Sequence, residues 1–278
     1  MTVSKAQLDA IGRPIIIASH QRSGTHLTID LLRKHFPDTN PKLKPLESLH
    51  HLYIDMDSFA PDHHNPMSVE TALRLLSRNP RPIIKTHALP TDSFAGGDFE
   101  PVVKTIFERA QILNVVRDGR SVMPSLQLFE QPWNPDAHTS FSEFIRSEYE
   151  GLERPKYWER HVRSWQSTDR CFTVRFDRII KDTEPVLIEL GEFLGMTPTM
   201  KKPLLPVAMK SHYEGWLRRL IGSTETTTIP GAGKSPKWWD QFTDEDRVYF
   251  DDLAGDLLIE LGYEPDHAWA QRSEAPSA

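Results

Sequence analysis

The sequence predicts an α/β fold of three layers, in which a mainly parallel central sheet carries helices on both faces. Short apolar runs rich in Ile and Val alternate along the chain with segments of helical periodicity, the order expected of strand–helix–strand units. The first apolar run, Ile15–Ala18, is continuously apolar, as strands covered on both faces are. A short polar loop containing one glycine and then a helical pattern follow this run directly.

The remaining elements are predicted in chain order from apolar runs and from helix caps. The helix after the first strand is expected from His26 to about His35, with leucines on its inner side. Further strands are predicted over residues 82–85, 112–116 and 172–176. Residues 37–67 and 221–237 show no clear periodicity, which in a compact domain is typical of functional or disordered loops.

Several later helices have recognisable starts. Asp98 is expected to cap a helix that carries Pro101 in its first turn. Ser140 with Glu143 has capping-box spacing. Thr243 with Asp246 is expected to begin a C-terminal helix that stops at Gly262. A helix that opens at Thr183 is expected to end at Gly191 or Gly195. The acidic run from Asp244 to Asp252 is expected to form the solvated face of its helix.

Length and composition limit the class of protein. The 278 residues predict a single domain, with its core at about residues 13–262 and a frayed tail at about 270–278. Thirty-three basic against 39 acidic residues give a net charge of −6, which argues against a nucleic-acid partner. Cys171 stands alone, so an intrachain disulfide is excluded. No apolar stretch has membrane-span or signal-peptide length, and we expect a soluble, cytoplasmic protein.

The loop from Ser19 to His26 is the strongest functional signal. A turn between a buried strand and a helix directs backbone N–H groups and the positive end of the helix dipole at one point, where a phosphate binds. Gly24 permits close approach of the backbone, Arg22 supplies charge and Thr25 a hydroxyl group. The Walker pattern is absent, because there is no leading glycine and no lysine after Gly24. An ordinary strand-to-helix turn is the alternative reading.

Two further strand ends carry residues of the same chemistry. Arg117 and, further on, Ser125 follow the strand 112–116, where an arginine can bind a phosphate bidentately or simply pair with Asp118. Lys85 and His87 follow the strand 82–85. A histidine at the mouth of a phosphate site is a natural general base, although an isolated histidine is more often structural.

These motifs together resemble the sulfotransferase family that uses 3′-phosphoadenosine-5′-phosphosulfate (PAPS). The loop QRSGTH is similar to the family's 5′-phosphosulfate loop, and VVRDGRSVMPS is similar to its 3′-phosphate motif, with KTHALP between them. The likeness continues through HVRSW, FDRIIKD, EFLG and the late GKSPKW segment, and it spans roughly residues 13–262. The resemblance implies a P-loop-like strand–loop–helix, a sulfuryl donor (PAPS), a desulfonated product (adenosine 3′,5′-bisphosphate, PAP) and no metal.

The resemblance also implies roles for individual residues. His87 would take the proton of the acceptor, Arg22 would stabilise the leaving phosphate in place of the family's usual lysine, and Lys85 would assist. The residues expected to bind the donor are Gln21, Arg22, Ser23, Gly24, Thr25, His26, Arg117, Ser125, Phe176, Gly233 and Lys234. Lys234 would substitute for the Arg-Lys pair that many members carry before the late glycine. Phe176, where a tyrosine is frequent, can stack on adenine but cannot donate a hydrogen bond.

The acceptor and the competing functions stay open at this stage. The acceptor is expected to be a small molecule carrying a hydroxyl or a nitrogen group, and its pocket is expected among the loops 46–68, 88–98, 128–140 and 205–230. No metal site is predicted, since the spacing of His50, His51, His63 and His64 matches no standard site. A homodimer is left open. The alternatives are a P-loop kinase, with Asp118 as its magnesium ligand, and a non-catalytic nucleotide-binding module.

Overall fold

A five-stranded parallel sheet lies at the centre of the molecule. The structure, a computed structural model, describes residues 3–41, 49–90, 97–206 and 237–272. The strands of the sheet are β1 (Ile15–Ala18), β2 (Ile54–Asp55), β3 (Ile83–Thr86), β4 (Gln111–Val116) and β7 (Cys171–Arg175), while β5 (Glu148–Tyr149) and β6 (Leu152–Glu153) form a separate antiparallel hairpin. The sheet has the spatial order β2-β3-β1-β4-β7 and every pairing in it is parallel.

Helices connect these strands. The described α-helices are α1 (Lys5–Asp9), α2 (Thr25–His35), α3 (Val69–Leu76), α4 (Glu100–Arg109), α5 (Gly119–Glu130), α6 (Phe141–Arg146), α7 (Arg154–Gln166), α8 (Phe176–Lys181), α9 (Thr183–Leu194) and α10 (Asp244–Glu260). Short 3₁₀ turns occupy Pro37–Thr39, Leu49–Leu52, Met56–Phe59, Gly97–Phe99, Pro135–His138, Trp238–Asp240 and His267–Gln271. None of the helices in the described ranges has the length and hydropathy needed to cross a membrane.

The two faces of the sheet are covered by different helices. Alternate residues of β1 point to opposite sides: Ile16 packs in one apolar cluster with residues of α3 and α4, and Ile17 packs in another with residues of α2, α8 and α9. A third cluster, beyond the end of β4, joins α5, α6, α7 and α10 around the buried rings of Trp158 and Phe250. The predicted three-layer architecture is confirmed.

The strand order places a crevice at the carboxyl end of β1. β1 lies between β3 and β4, so the chain leaves β1 toward one side of the sheet and later crosses to the other. In open α/β sheets this reversal separates the loops that follow neighbouring strands, and ligands bind in the gap. The loops after β1, β3 and β4 therefore meet at one place.

Most predicted helix boundaries are confirmed. Capping boxes are present at Ser140 and at Thr243, and Gly195 adopts the left-handed conformation after α9. The predicted N-cap at Asp98 was wrong. Asp98 lies within a 3₁₀ turn, and α4 begins at Glu100 with Phe99 at the N-cap position.

The acidic run of α10 is not uniformly solvated. Asp246 is fully buried, which contradicts the expectation for this segment. Its carboxylate accepts hydrogen bonds from the hydroxyl of Ser142, at 2.6 Å, and from the guanidinium of Arg146. The partners come from α6, about a hundred residues away in the chain, so helical spacing alone could not distinguish Asp246 from its exposed neighbours.

Candidate active site

The loop between β1 and α2 is curled by two residues with left-handed backbone. Arg22 has φ 68° and Gly24 has φ 97°. The hydroxyls of Ser19 and Thr25, which flank the loop, lie 2.7 Å apart. Successive backbone N–H groups in such a turn form a concavity for an anion, and the N-terminus of α2 adds its dipole. Residues 19–25, named here the anion-binding loop, thus have the geometry that suits an anion at the sheet's switch point.

Phe176 closes one side of this loop. It begins α8 directly after β7, and its ring lies against Gly24 so closely that a Cβ at Gly24 would be 2.1 Å from a ring carbon. The same ring lies 5.5 Å, measured to its centroid, from the guanidinium carbon of Arg117. Gly24 is therefore required twice, for its positive φ and for its missing side chain.

Arg22 and Arg117 join the loop to the end of β4. The Nε of Arg22 donates to the hydroxyl of Ser125 on α5 at 3.1 Å, and a guanidinium N–H of Arg117 donates to the backbone oxygen of Arg22 at 3.1 Å. The guanidinium of Arg22 also stacks over the ring of Phe129 at 4.8 Å. These contacts bring three separate sequence motifs into one site.

The site contains two arginines whose charge no carboxylate of the described residues neutralises, and one buried hydroxyl that those residues leave without a hydrogen bond. Among the described residues neither Arg22 nor Arg117 forms an ion pair with a carboxylate, and the buried hydroxyl of Ser23 has no hydrogen-bond partner. Burial lowers the pKa of both arginines, because the charged form is poorly solvated there. A bound anion would satisfy all three groups.

His87 faces this loop from the end of β3. Its Nδ1 lies 2.8 Å from the backbone oxygen of Ser19, so Nδ1 carries the proton in the neutral ring and Nε2 keeps its lone pair. Burial, and secondarily the charge of Lys85, lowers the pKa of His87 to about 4. The ring is therefore a neutral proton acceptor near pH 7.

The backbone around His87 is held by three other side chains. The carboxylate of Asp57 accepts from the His87 N–H at 3.1 Å and from the Thr86 hydroxyl at 2.6 Å. The Nε2 of His161 donates to the His87 backbone oxygen at 3.1 Å, and the indole N–H of Trp165 donates to the backbone oxygen of the next residue at 3.0 Å. His87 thus has a fixed position.

Lys85 and His26 take part in a polar network beside the loop. The ammonium of Lys85 is 2.6 Å from the carboxylate of Asp55 on β2. The Nε2 of His26 lies 3.2 Å from the hydroxyl of Tyr53, and burial lowers the pKa of His26 to about 4. Lys85 is thus ion-paired at the edge of the sheet.

A pocket opens beside His87. The space between its walls, open solvent included, is about 320 Å³, and its lining residues are His20, Gln21, His87, Leu126, Glu130, Tyr149, Arg154 and Tyr157. Of these, only Glu130 lies in a loop range in which the acceptor pocket was expected. The β5–β6 hairpin and α7 contribute the others on that side, because tertiary packing brings them against α5.

Comparison with known proteins shows the family of this chain. The sequence model of the sulfotransferase domain matches residues 13–262. The chain belongs to the sulfotransferase family. A search of curated proteins finds no significant sequence match for this sulfotransferase.

Solved structures align with this chain at low identity. A mouse sulfotransferase crystallised with PAP aligns with a TM-score of 0.51 at 15% identity, covering 96% of this chain and 91% of that one. A retinol dehydratase in complex with retinol and PAP aligns at 0.48 and 18% identity, over 91% and 86% of the two chains. A sulfotransferase from Mycobacterium avium aligns at 0.47 and 13%, over 93% and 79%.

The structure of this sulfotransferase brings most of the predicted site residues together. The anion-binding loop, Arg117, Ser125 and Phe176 are linked by the contacts above, and His87 is hydrogen-bonded to the loop's first residue. Gly233 and Lys234 lie outside the described residues. Within the described part of the chain no three His, Cys, Asp or Glu residues are grouped so that they could hold a metal.

Asp118 does not have the environment that the kinase alternative needs. Its carboxylate accepts hydrogen bonds from the backbone N–H of Arg120, at 2.9 Å, and from the Arg120 guanidinium, at 2.7 Å. It caps α5 and neutralises a buried arginine. The sequence alone could not show this pairing, because Asp118 contacts Arg120 only when it occupies the N-cap position of α5.

Sequence reasoning missed the residues that support His87. Asp55 and Asp57 lie in the segment 37–67, which showed no periodicity because its strand is only two residues long. The alternation Ile54–Asp57, in which an acidic residue follows each apolar one, was the available signal. His161 was noted only for its place before β7.

Proposed function

We propose that this sulfotransferase moves a sulfuryl group from PAPS to a hydroxyl or an amino- or guanidino-type nitrogen of a small-molecule acceptor. The observation that carries the proposal is the meeting of His87, the anion-binding loop and the unpaired arginines Arg22 and Arg117 at one sheet edge. The donor's groups suit the site: a phosphosulfate for the loop and a second phosphate for Arg117 and Ser125. The mouse relative of the same fold was crystallised with PAP.

PAPS supplies the sulfuryl group and, as its sulfur–oxygen bond breaks, a phosphate oxygen that gains negative charge. We expect Arg22 to neutralise that charge and the backbone N–H groups of residues 23–26 to hold the adjoining oxygens. The unpaired hydroxyl of Ser23 gains a partner there. As in phosphoryl transfer, positioning and electrostatics supply most of the rate.

His87 takes the proton of the acceptor as the new bond to sulfur forms. Its Nδ1–H donates to the Ser19 oxygen, so the Nε2 lone pair is the base, and protonation there leaves a cation beside the anionic donor. Lys85 lies next to His87 but is paired with Asp55; we propose that it supports the local charge balance and acts on the leaving group only through its field.

The first experiment is isothermal titration with PAP and, separately, with ATP and magnesium. We expect tight binding of PAP without metal and no binding of ATP. PAP carries a phosphate at each of the two positions that Arg22 and Arg117 serve, whereas ATP lacks the 3′-phosphate. Preference for ATP with magnesium would overturn the sulfotransferase proposal in favour of the kinase.

A further inference from the structure

A second histidine, within the anion-binding loop, lines the pocket beside His87, and its side chain has no role in the proposed reaction. His20 is only 5% exposed and lines the pocket together with His87. Its ring packs edge-on against Tyr157 and His161, with 5.7 Å between ring centroids in each pair. His161 also holds the backbone oxygen of His87. His161 therefore contacts both the ring of His20 and the backbone of His87.

The hydrogen bonding of His20 leaves one nitrogen for a ligand. Its Nδ1 lies 3.0 Å from the backbone oxygen of Gln21, so Nδ1 carries the proton of the neutral ring. Nothing in the described part of the chain bonds to Nε2, whose lone pair is an acceptor. Burial lowers the pKa of His20 to about 4, which keeps the ring neutral near pH 7. His20 has the same tautomer as His87.

The rest of the pocket offers no net charge. Glu130 and Arg154 form a buried bidentate pair, at 3.0 and 2.9 Å, and the Nε of Arg154 donates to the Ser147 hydroxyl at 2.9 Å. Leu126 and the ring of Tyr149 add apolar surface. An anionic or cationic acceptor would lose its hydration here without gaining a counter-ion. The lining therefore favours a neutral acceptor.

We propose that His20 accepts a hydrogen bond from a second hydroxyl group of the acceptor, so that the preferred acceptors are neutral ring compounds carrying at least two hydroxyls. The proposal rests on the proposed function, in which His87 accepts the proton of the hydroxyl that is sulfonated. The two Nε2 atoms then hold two hydroxyl groups of one ring. An acceptor with a single hydroxyl leaves the buried lone pair of His20 without a partner, which costs affinity.

The test compares phenol with 1,2-, 1,3- and 1,4-dihydroxybenzene as acceptors, with PAPS as donor. We expect at least one diol to exceed phenol in kcat/KM by about 10-fold or more, the effect of one buried hydrogen bond. The variant His20→Phe should lower the value for that diol far more than the value for phenol. His20→Gln, which keeps an acceptor near the Nε2 position, should restore part of the preference.

Controls separate this proposal from the proposed function and from misfolding. His64→Phe replaces an exposed histidine outside the pocket and should keep the wild-type preference. A preference unchanged in His20→Phe, or wild-type enzyme that turns over no diol better than phenol, overturns the role of His20. If PAP binds but no diol binds to the PAP complex, the acceptor class is wrong and the donor site stands. Failure to bind PAP overturns the proposed function itself.

Discussion

At the scale of single residues, the state of His87 follows from two features of its surroundings. Burial disfavours the imidazolium, and the Ser19 carbonyl determines which nitrogen carries the proton. Histidine is the side chain whose ordinary pKa lies nearest to neutral pH, and here the pKa is moved to about 4. The imidazole of His87, the proposed base, is thus neutral over the whole neutral pH range.

Replacing His87 separates chemistry from binding. We expect His87→Ala to lower kcat by about 10²–10⁴-fold, the usual contribution of a general base, with little change in the Kd for PAP. The acid limb of kcat/KM in the wild type should fall near pH 4 and not near 6.5, because kcat/KM reports the free enzyme. Steady-state rates between pH 4 and 8 measure both. Retained turnover in the variant would remove His87 as the base.

Arg117 tests the binding of the second phosphate. We expect Arg117→Ala to weaken PAP binding by about 2–4 kcal/mol, since it removes a buried charge partner and the support that Arg117 gives to the backbone of Arg22. Calorimetry with PAP measures the change. Arg163→Ala is a matched control, because Arg163 pairs with Glu260 at the surface. Equal affinity in both variants would contradict the assignment of the 3′-phosphate.

At the scale of secondary structure, the position of His87 depends on how β3 ends. Asp57, from the turn after β2, accepts hydrogen bonds from Thr86 and from the N–H of His87. Burial and the nearby charge of Asp55 raise the pKa of Asp57, while these hydrogen bonds oppose that shift. Asp57 thus holds the turn that carries His87 and does not line the pocket beside it.

Asp57 is therefore expected to be a positioning residue. Asp57→Ala leaves the Thr86 hydroxyl and the His87 N–H unpaired, at about 1–3 kcal/mol of stability for each buried group. It should lower kcat more than it raises KM, and Asp57→Asn, which keeps one acceptor oxygen, should recover part of kcat. Chemical denaturation and steady-state rates give the two readouts. Loss of stability with kcat unchanged would reduce Asp57 to a structural role.

Elements with long, continuous patterns were predictable and short ones were not. β1, β3, β4 and β7 are apolar runs whose strand ends were predicted to within about a residue. β2 has two residues and gives no period. Phe176 was expected only as a possible adenine stacker, yet it also packs on Gly24, a contact between positions that sequence distance does not relate.

At the scale of the whole molecule, several buried neutral histidines meet at the strand ends. Burial lowers the pKa to about 4 in His20, His26 and His87, and well below its ordinary value in His161. Their ordinary pKa is near 6.5, so between pH 6.5 and 4 the unfolded chain binds more protons than the folded one. The free energy of unfolding is therefore at its full value above pH 6.5 and decreases as the pH falls from 6.5 to 4.

We therefore expect marked acid sensitivity. Each of these histidines should reduce the free energy of unfolding by about 1 kcal/mol per pH unit between pH 6 and 5, from the linkage of proton binding to folding. Urea titrations at pH 7, 6 and 5 measure the change. His20→Phe should show a shallower slope than the wild type, because it removes one of the titrating groups. A free energy of unfolding that is constant from pH 7 to 5 would contradict the expected burial of these rings.

The sequence by itself determined the three-layer fold and its strand ends, and the family. It also determined the loop that carries Arg22 and the places of Arg117 and His87 after strand ends. These are local patterns: a buried strand, a glycine turn and a helix start are each written in consecutive residues. Only the tertiary structure decided the protonated nitrogen of His87, its support by Asp57 and His161, and the pocket that His20 lines. Those features depend on side chains that are far apart in the chain and meet only when the sheet and its helices pack.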